Sequence, residues 1–170
     1  VALAGQEVAR LERLLADILL YARPLTLERR PSDIRHLVDE SAARWPGRVE
    51  LIMGDEPVAA NIDPDRIRQV LINLVQNAVQ ASPGAEKVRV ELRLTGRQWI
   101  EIEISNGGDP IAPRILERLF EPFVTTKRDG TGLGLAIVRR IVAAHGGDIH
   151  VTSAAEAGTR VLLRLPAAAQ

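Results

Sequence analysis

Between Gln69 and Ala85 the chain carries no charged side chain, although 26% of its residues are charged. Within that window Gln69, Asn73, Asn77 and Gln80 fall at i, i+4, i+8 and i+11, along one face of a helix. Solvated helix faces ordinarily use Glu, Lys and Arg, which are better helix formers than Asn. Asparagines one turn apart place carboxamide oxygens side by side, which suits a hard cation such as Mg²⁺ and the oxygens of a phosphate. A plain polar face is the competing reading of these four residues.

A second chemical signal lies at Thr126–Gly147, TKRDGTGLGLAIVRRIVAAHGG. Gly130, Gly132 and Gly134 alternate, and Leu133, Ile137, Val138, Ile141 and Val142 then follow helical spacing. A glycine-rich entry to a helix leaves backbone N–H groups free and lets a bulky anion approach, so it is a natural phosphate seat. Two familiar phosphate motifs are excluded by spacing. A P-loop needs a Gly-Lys pair, and the chain has none; the dinucleotide fingerprint needs glycine where Leu135 stands. At the helix end, His145 suits the negative pole and Gly146 can take the left-handed closing conformation. Asn106-Gly107-Gly108-Asp109-Pro110-Ile111 and Phe120-Glu121-Pro122-Phe123 are, taken alone, an ordinary turn and a hydrophobic loop anchor.

The elements that must carry these residues are legible from periodicity. Residues 3–22 form one long helix with Val8, Leu11, Leu15 and Ile18 as a coiled-coil-like seam, ended by Arg23-Pro24. Ser32-Asp33 caps a helix from Ile34 to Trp45, and Val49–Met53 is a strand. Asp63 and Pro64 open the carboxamide helix, which Ser82-Pro83-Gly84 stops. Two alternating runs, 88–94 and 99–104, are antiparallel neighbours, one face buried and one polar. A short helix over 114–119 leads into the glycine-rich stretch, and 148–153 and 159–165 are closing strands around Gly158. The expected fold is an α/β (α+β) two-layer sandwich, with helices on one face of a mixed, mostly antiparallel sheet and one long helix in front.

Composition bounds the function. A chain of 170 residues with 46% hydrophobic and 3% aromatic content makes one aliphatic-cored domain with a short appendage. The 22 basic residues balance the 22 acidic ones, which argues against a general grip on nucleic acid or anionic membrane. The absence of cysteine excludes disulfides and thiolate metal sites. No stretch of this sequence reads as a signal peptide, and no apolar run approaches the ~18 residues of a membrane span. Val1 in place of Met leads us to expect a piece of a longer protein.

Taken together, NLVQNAVQA (73–81), SNGGDPI (105–111), LFEPFVTTK (119–127), GTGLGLAIV (130–138) and EAGTRVLLRLP (156–166) resemble, in order and spacing, the N, G1, F, G2 and final glycine boxes of bacterial sensor histidine kinases. The resemblance, to the catalytic ATP-binding domain with the GHKL (Bergerat) fold, covers residues 31–166, with 25–30 a linker and 167–170 a tail. Residues 1–24 resemble the second helix of the family's dimerisation and phosphotransfer hairpin. The resemblance implies a two-layer sandwich with an ATP lid, and ATP and Mg²⁺ as cofactors. It implies Asn77, assisted by Asn73, as the Mg²⁺ ligand. Asn106 would meet the adenine amino group, with Gly108 letting the base lie against the backbone. Lys127 would meet the terminal phosphates, Gly130, Thr131, Gly132, Leu133 and Gly134 would wrap them, and Phe120 and Phe123 would tie the lid down. Gly158-Thr159 would close the adenine end. The implied partners are a response regulator, the rest of the hairpin and sensor region, and a second copy in the intact protein. The implied location is the cytoplasm, with a parent that can be membrane-anchored.

The sequence departs from the family pattern in two ways. Asn106 stands where the family usually has Asp, and Pro110 where it has a second Gly, so adenine binding is expected to weaken without being lost. The acceptor His with its following Glu or Asp is missing: His36, His145 and His150 lack that context and are expected to be structural. An ATP-hydrolysing relative of the same fold would need a Glu at the position of Asn73, and a carboxamide cannot activate water. A non-catalytic nucleotide-binding module is the remaining alternative. The chain alone is therefore expected to bind ATP without labelling itself.

Overall fold

The computed structural model describes Val8, Leu11, Glu12 and residues 14–16, 18, 19 and 21–168, save Arg97, Arg128 and Asp129. The described residues between Val8 and Ala22 are helical, as the seam predicts, and the remaining residues of the expected 3–22 helix lie outside the described set. Val8, Leu11, Leu15, Ile18 and Leu19 are exposed on it.

Helix α1 (Ile34–Ala42) starts where Asp33 accepts the Arg35 N–H at 3.0 Å. It stops at Ala42 and not at Trp45, because Pro46 and the left-handed Gly47 (φ 75°) force the chain into a turn before the apolar pattern is spent. Helix α2 (Pro64–Ala81) carries the carboxamides. Asp63 caps it, accepting from the Asp65 and Arg66 N–H groups at 3.2 and 3.1 Å, and Ser82 ends it with its N–H on Ala78 O. Ile67, Val70, Leu71, Leu74, Val75 and Ala78 are its buried face, one turn round from the carboxamides.

The main sheet has the order β2-β4-β5-β7-β6, from β2 (Val49–Ile52), β4 (Val88–Thr95), β5 (Trp99–Asn106), β6 (Asp148–Ala154) and β7 (Gly158–Pro166). Only β2 and β4 run parallel, and the other pairs are antiparallel, so the sheet is mixed and mostly antiparallel as expected. Val88, Val90, Leu92, Ile100, Ile102, Ile104, Leu163 and Leu165 fill one face and are buried under α1, α2 and α4 (Gly134–Ala144). The opposite face is a lattice of charges, with Arg164 on Glu101 at 3.1 Å and Arg93 on Glu103 at 3.5 Å. Such partly solvated pairs on an outer face each contribute about 1 kcal/mol, so the apolar face holds the layers together.

A second sheet was not legible in the sequence: β1 (Arg30–Asp33) pairs antiparallel with β3 (Ala59–Ile62). Four-residue strands, one holding Pro31, give no alternation to read, and their pairing comes from the packing around Asp33 and Asp63. The short helix α3 spans Pro113–Leu116, earlier than the expected 114–119, because Pro113 presets the first helical turn.

Candidate nucleotide site

On α2 the two asparagines are joined, with Asn77 Nδ2 donating to Asn73 Oδ1 at 3.0 Å. That bond orients the Asn77 amide and leaves Oδ1 turned toward the lid, the loop 119–133. There the Lys127 ammonium donates to Asn77 Oδ1 and to Gln80 Oε1, both at 2.6 Å. Although Lys127 is exposed as a residue, its ammonium has lost hydration between these amides, and this desolvation lowers its pKa from the ordinary lysine value. Gln69 does not join the cluster: its Oε1 accepts from Arg66 Nη1 at 3.4 Å. Sequence spacing put all four amides on one face, but only Asn77 and Gln80 meet the lid directly, with Asn73 joined to Asn77.

The lid is shaped by its own backbone. Thr125 Oγ1 accepts the Lys127 N–H at 3.1 Å, and the Gly130 N–H donates to Lys127 O at 3.2 Å, so the Lys127 backbone is held on both sides. The Phe123 N–H donates to Gly132 O at 2.9 Å, and Gly132 (φ 70°) lies so close that an added Cβ would stand 2.5 Å from the Phe123 carbonyl carbon. Phe123 itself is left-handed (φ 66°), a conformation that costs a non-glycine residue about 1 kcal/mol or more. Phe123 is 62% exposed, so it ties the lid through its main chain and not by burial of its side chain. Phe120 is half-buried, with the Arg139 guanidinium 5.8 Å from the ring centroid.

Gly134 opens α4 against Asn73, where a Cβ would meet Asn73 Nδ2 at 2.6 Å. No side chain caps α4, so the positive pole of the helix faces the carboxamides and favours an anion there. Leu133 is fully buried, so only its main chain reaches the cleft. Thr131 Oγ1 accepts the Leu133 N–H at 3.4 Å and helps set that entry.

At the far end Asn106 closes β5 and is 9% exposed. Its Nδ2 donates to Gly107 O, so its Oδ1 is left as the acceptor, the role a carboxylate would fill. Gly108 (φ 99°) is packed on the end of α2, with Ala81 O 2.4 Å from the position of a Cβ. Gly158 (φ 68°) is packed on the other side, where a Cβ would stand 2.1 Å from Asn106 O. Thr159 lies opposite Asn106 in the β5–β7 register, and its Oγ1 is 2.8 Å from Ser153 Oγ, which accepts the Ile111 N–H at 3.0 Å. Thr159 thus pins the loop after Asn106. Sequence reasoning missed Ser153 and Glu86, whose carboxylate lies beside Gly107; neither has a local signal.

None of the three histidines belongs to this cleft. His36 and His150 are exposed beside Glu40 and Asp148, both at 3.2 Å. His145 is 2% exposed and corrects the expectation of a cation at the end of α4. Its Nε2 accepts the Asp63 N–H at 3.0 Å, so Nδ1 carries the proton and donates to Ile141 O at 2.7 Å. Burial lowers its pKa, and it is a neutral strut between the end of α4 and the start of α2. Among the described residues no three His, Cys, Asp or Glu side chains form a metal cluster.

With this geometry in hand, comparison with known proteins is decisive. Residues 62–169 match the family model described as histidine kinase-, DNA gyrase B-, and HSP90-like ATPase. The sensor histidine kinase ZraS of Salmonella typhimurium is 33% identical over 173 residues, covering 98% of this chain and 37% of that protein. The structure of full-length ShkA in complex with AMPPNP superposes with a TM-score of 0.81 at 29% identity, over 98% of this chain and 38% of that one. Histidine kinase ThkA, in complex with the response regulator protein TrrA, superposes with a TM-score of 0.79 at 29% identity over 95% of this chain and 48% of that one. The chain spans about a third of the length of the curated relatives it matches. It belongs to the histidine kinase-, DNA gyrase B- and HSP90-like ATPase family, as an ATP-binding domain of the sensor histidine kinase kind.

Proposed function

We propose that residues 31–166 bind Mg-ATP and transfer its γ-phosphate to a His on a hairpin helix outside this chain, for relay to a response regulator. The observation that carries this reading is the meeting of Asn73, Asn77 and Lys127 with the uncapped start of α4. Amide oxygens, an ammonium and free helical N–H groups are what a polyphosphate with its counter-ion needs. Asn106 and Gly108 at the far end then take the adenine, with Oδ1 of Asn106 accepting from its amino group. The neutral hard oxygens of Asn77 and Asn73 fit Mg²⁺, and Asn77 Oδ1 already accepts from a cationic group. Bound there, the ion would neutralise charge on the phosphate oxygens. Lys127 and the α4 N-terminus hold the terminal phosphate in place, and Phe123 and Gly132 keep the lid over it.

The described residues offer no carboxylate at position 73 and no histidine in the cleft, so the attacking group comes from outside. The helical segment up to Ala22, read as the second hairpin helix, supplies the attachment. Its exposed apolar seam fits the same helix of a second copy and the absent first helix, in a cytoplasmic dimer. No helix of the described residues is long and apolar enough to cross a membrane. The test is incubation with γ-labelled ATP, with and without an added hairpin that carries the acceptor His. Label should appear on the hairpin only and vanish in acid, as phosphohistidine does. Acid-stable label on the chain itself would sink the proposal.

A further inference from the structure

Lys127 and its partners carry more than a phosphate contact. The two amide oxygens that hold its ammonium come from residues 50 and 47 positions away, and both bonds are short at 2.6 Å. One of them, Asn77 Oδ1, is the oxygen assigned to the divalent ion. The other, Gln80 Oε1, has no role in the assignment above. We propose that Asn77 and Gln80 form one cation seat, that Lys127 occupies it in the ligand-free chain and so latches the lid, and that a divalent ion evicts Lys127 from it. The proposal rests on the nucleotide-site reading of Asn77.

Three features support it. The ammonium is brought to the seat by a built turn, since Thr125 Oγ1 and the Gly130 N–H fix the backbone of Lys127 on both sides. Among the described residues the seat is amide: the side-chain partners of the ammonium are Asn77 Oδ1 and Gln80 Oε1, on a helix stretch without charge from Gln69 to Ala85, so dipoles hold it there. Such a bond is firm enough to order a loop and weak enough to be exchanged. Finally, a divalent ion and an ammonium cannot share one oxygen at bonding distance, because two cations would face each other across it. Eviction frees Lys127 toward the phosphates arriving with the ion, so opening of the lid and charging of the site become one event. Gln80 becomes a determinant of ion binding, although it stands a turn beyond the asparagine pair.

Hydrogen exchange of the lid amides in the nucleotide-free chain, with and without millimolar Mg²⁺, tests this directly. In the parent, Mg²⁺ alone should speed exchange of residues 123–132. Lys127→Met should speed it about tenfold without Mg²⁺, the order of a lost hydrogen bond to a charged group, and abolish the Mg²⁺ response. Gln80→Leu, an exposed site where folding is not at stake, should release the lid partly and weaken Mg²⁺ binding measured by calorimetry. Lid exchange that ignores both Mg²⁺ and Lys127→Met overturns the latch. If Asn77→Ala still loses Mg-ATP binding in that case, the site reading stands and only the latch fails. If Asn77→Ala binds Mg-ATP like the parent, the site reading falls and the latch with it.

Discussion

Asn77 uses its amide nitrogen on Asn73 and keeps its oxygen for a cation, which makes it the most exposed point of the functional reading. Asn77→Ala should lower Mg-ATP affinity by ~2 kcal/mol, about thirtyfold, in calorimetric titration with a non-hydrolysable analogue. Its circular dichroism spectrum should match the parent, because the side chain is half-buried at the cleft and not in the core. Asn106→Ala should weaken the same analogue by ~1–2 kcal/mol, the value of one hydrogen bond to a buried group. Asn106→Asp should retain binding, since the remaining acceptor is the atom that matters; equal affinity in all three proteins would place the adenine elsewhere. The asparagines were legible in the sequence because an uncharged window in a charged chain is unusual. The bond from Lys127 to Gln80 was not, because it spans 47 positions and depends on the turn at Thr125.

At the scale of elements, the junction of α2 and α4 sets the cleft, and His145 and Asp63 hold it. Burial lowers the His145 pKa from the ordinary imidazole value of 6.5, with the Arg29 charge in the same direction and the Ile141 carbonyl and Asp63 opposing. The unfolded chain therefore binds the proton more readily than the folded one. The stability His145 contributes is complete above about pH 6.5 and is lost as pH falls toward its folded value, by up to ~1.4 kcal/mol per pH unit. Burial raises the Asp63 pKa, but the N–H groups of Glu28, Arg66 and Asp65 outweigh it and the net shift is downward. Its contribution is present above pH 3.8 and fades only as pH falls further. Urea midpoints should thus drop between pH 7.5 and 5 in the parent. His145→Leu should start lower by ~1–3 kcal/mol, having orphaned the Asp63 N–H, and should show a flatter pH dependence over that range. An unchanged slope would remove His145 from this role. The helix caps at Asp33 and Asp63 could be read from sequence because they are local. The charge state of His145 could not, since the rule that favours cations at helix ends is overridden when the end is buried.

At the scale of the molecule, α4 is tied to the helical segment that ends at Ala22. Arg140 of α4 donates to the Tyr21 and Arg23 carbonyls, and Arg29 Nη2 donates to Ala144 O at 2.6 Å. Arg140 thereby closes the carbonyl end of the front helix from another helix, and Arg29, from the linker, closes the carbonyl end of α4. Arg140→Ala should leave analogue affinity unchanged and raise protease sensitivity at residues 22–28; intact protection would show that the tether does not hold this segment. The five-stranded order of the sheet was only half legible, because alternation gives the strands but not the insertion of the last one. That insertion has a consequence for the order in which the protein is made. During synthesis β6 emerges with no neighbour to pair with, and β5 presents an open edge, until β7 slots between them. Gly158, the first residue of β7, is also the one that covers Asn106. A nascent chain halted before Gly158 therefore has every carboxamide of the cleft and nothing packed over Asn106; if the base lies there as proposed, nucleotide is expected to stabilise only the completed sheet.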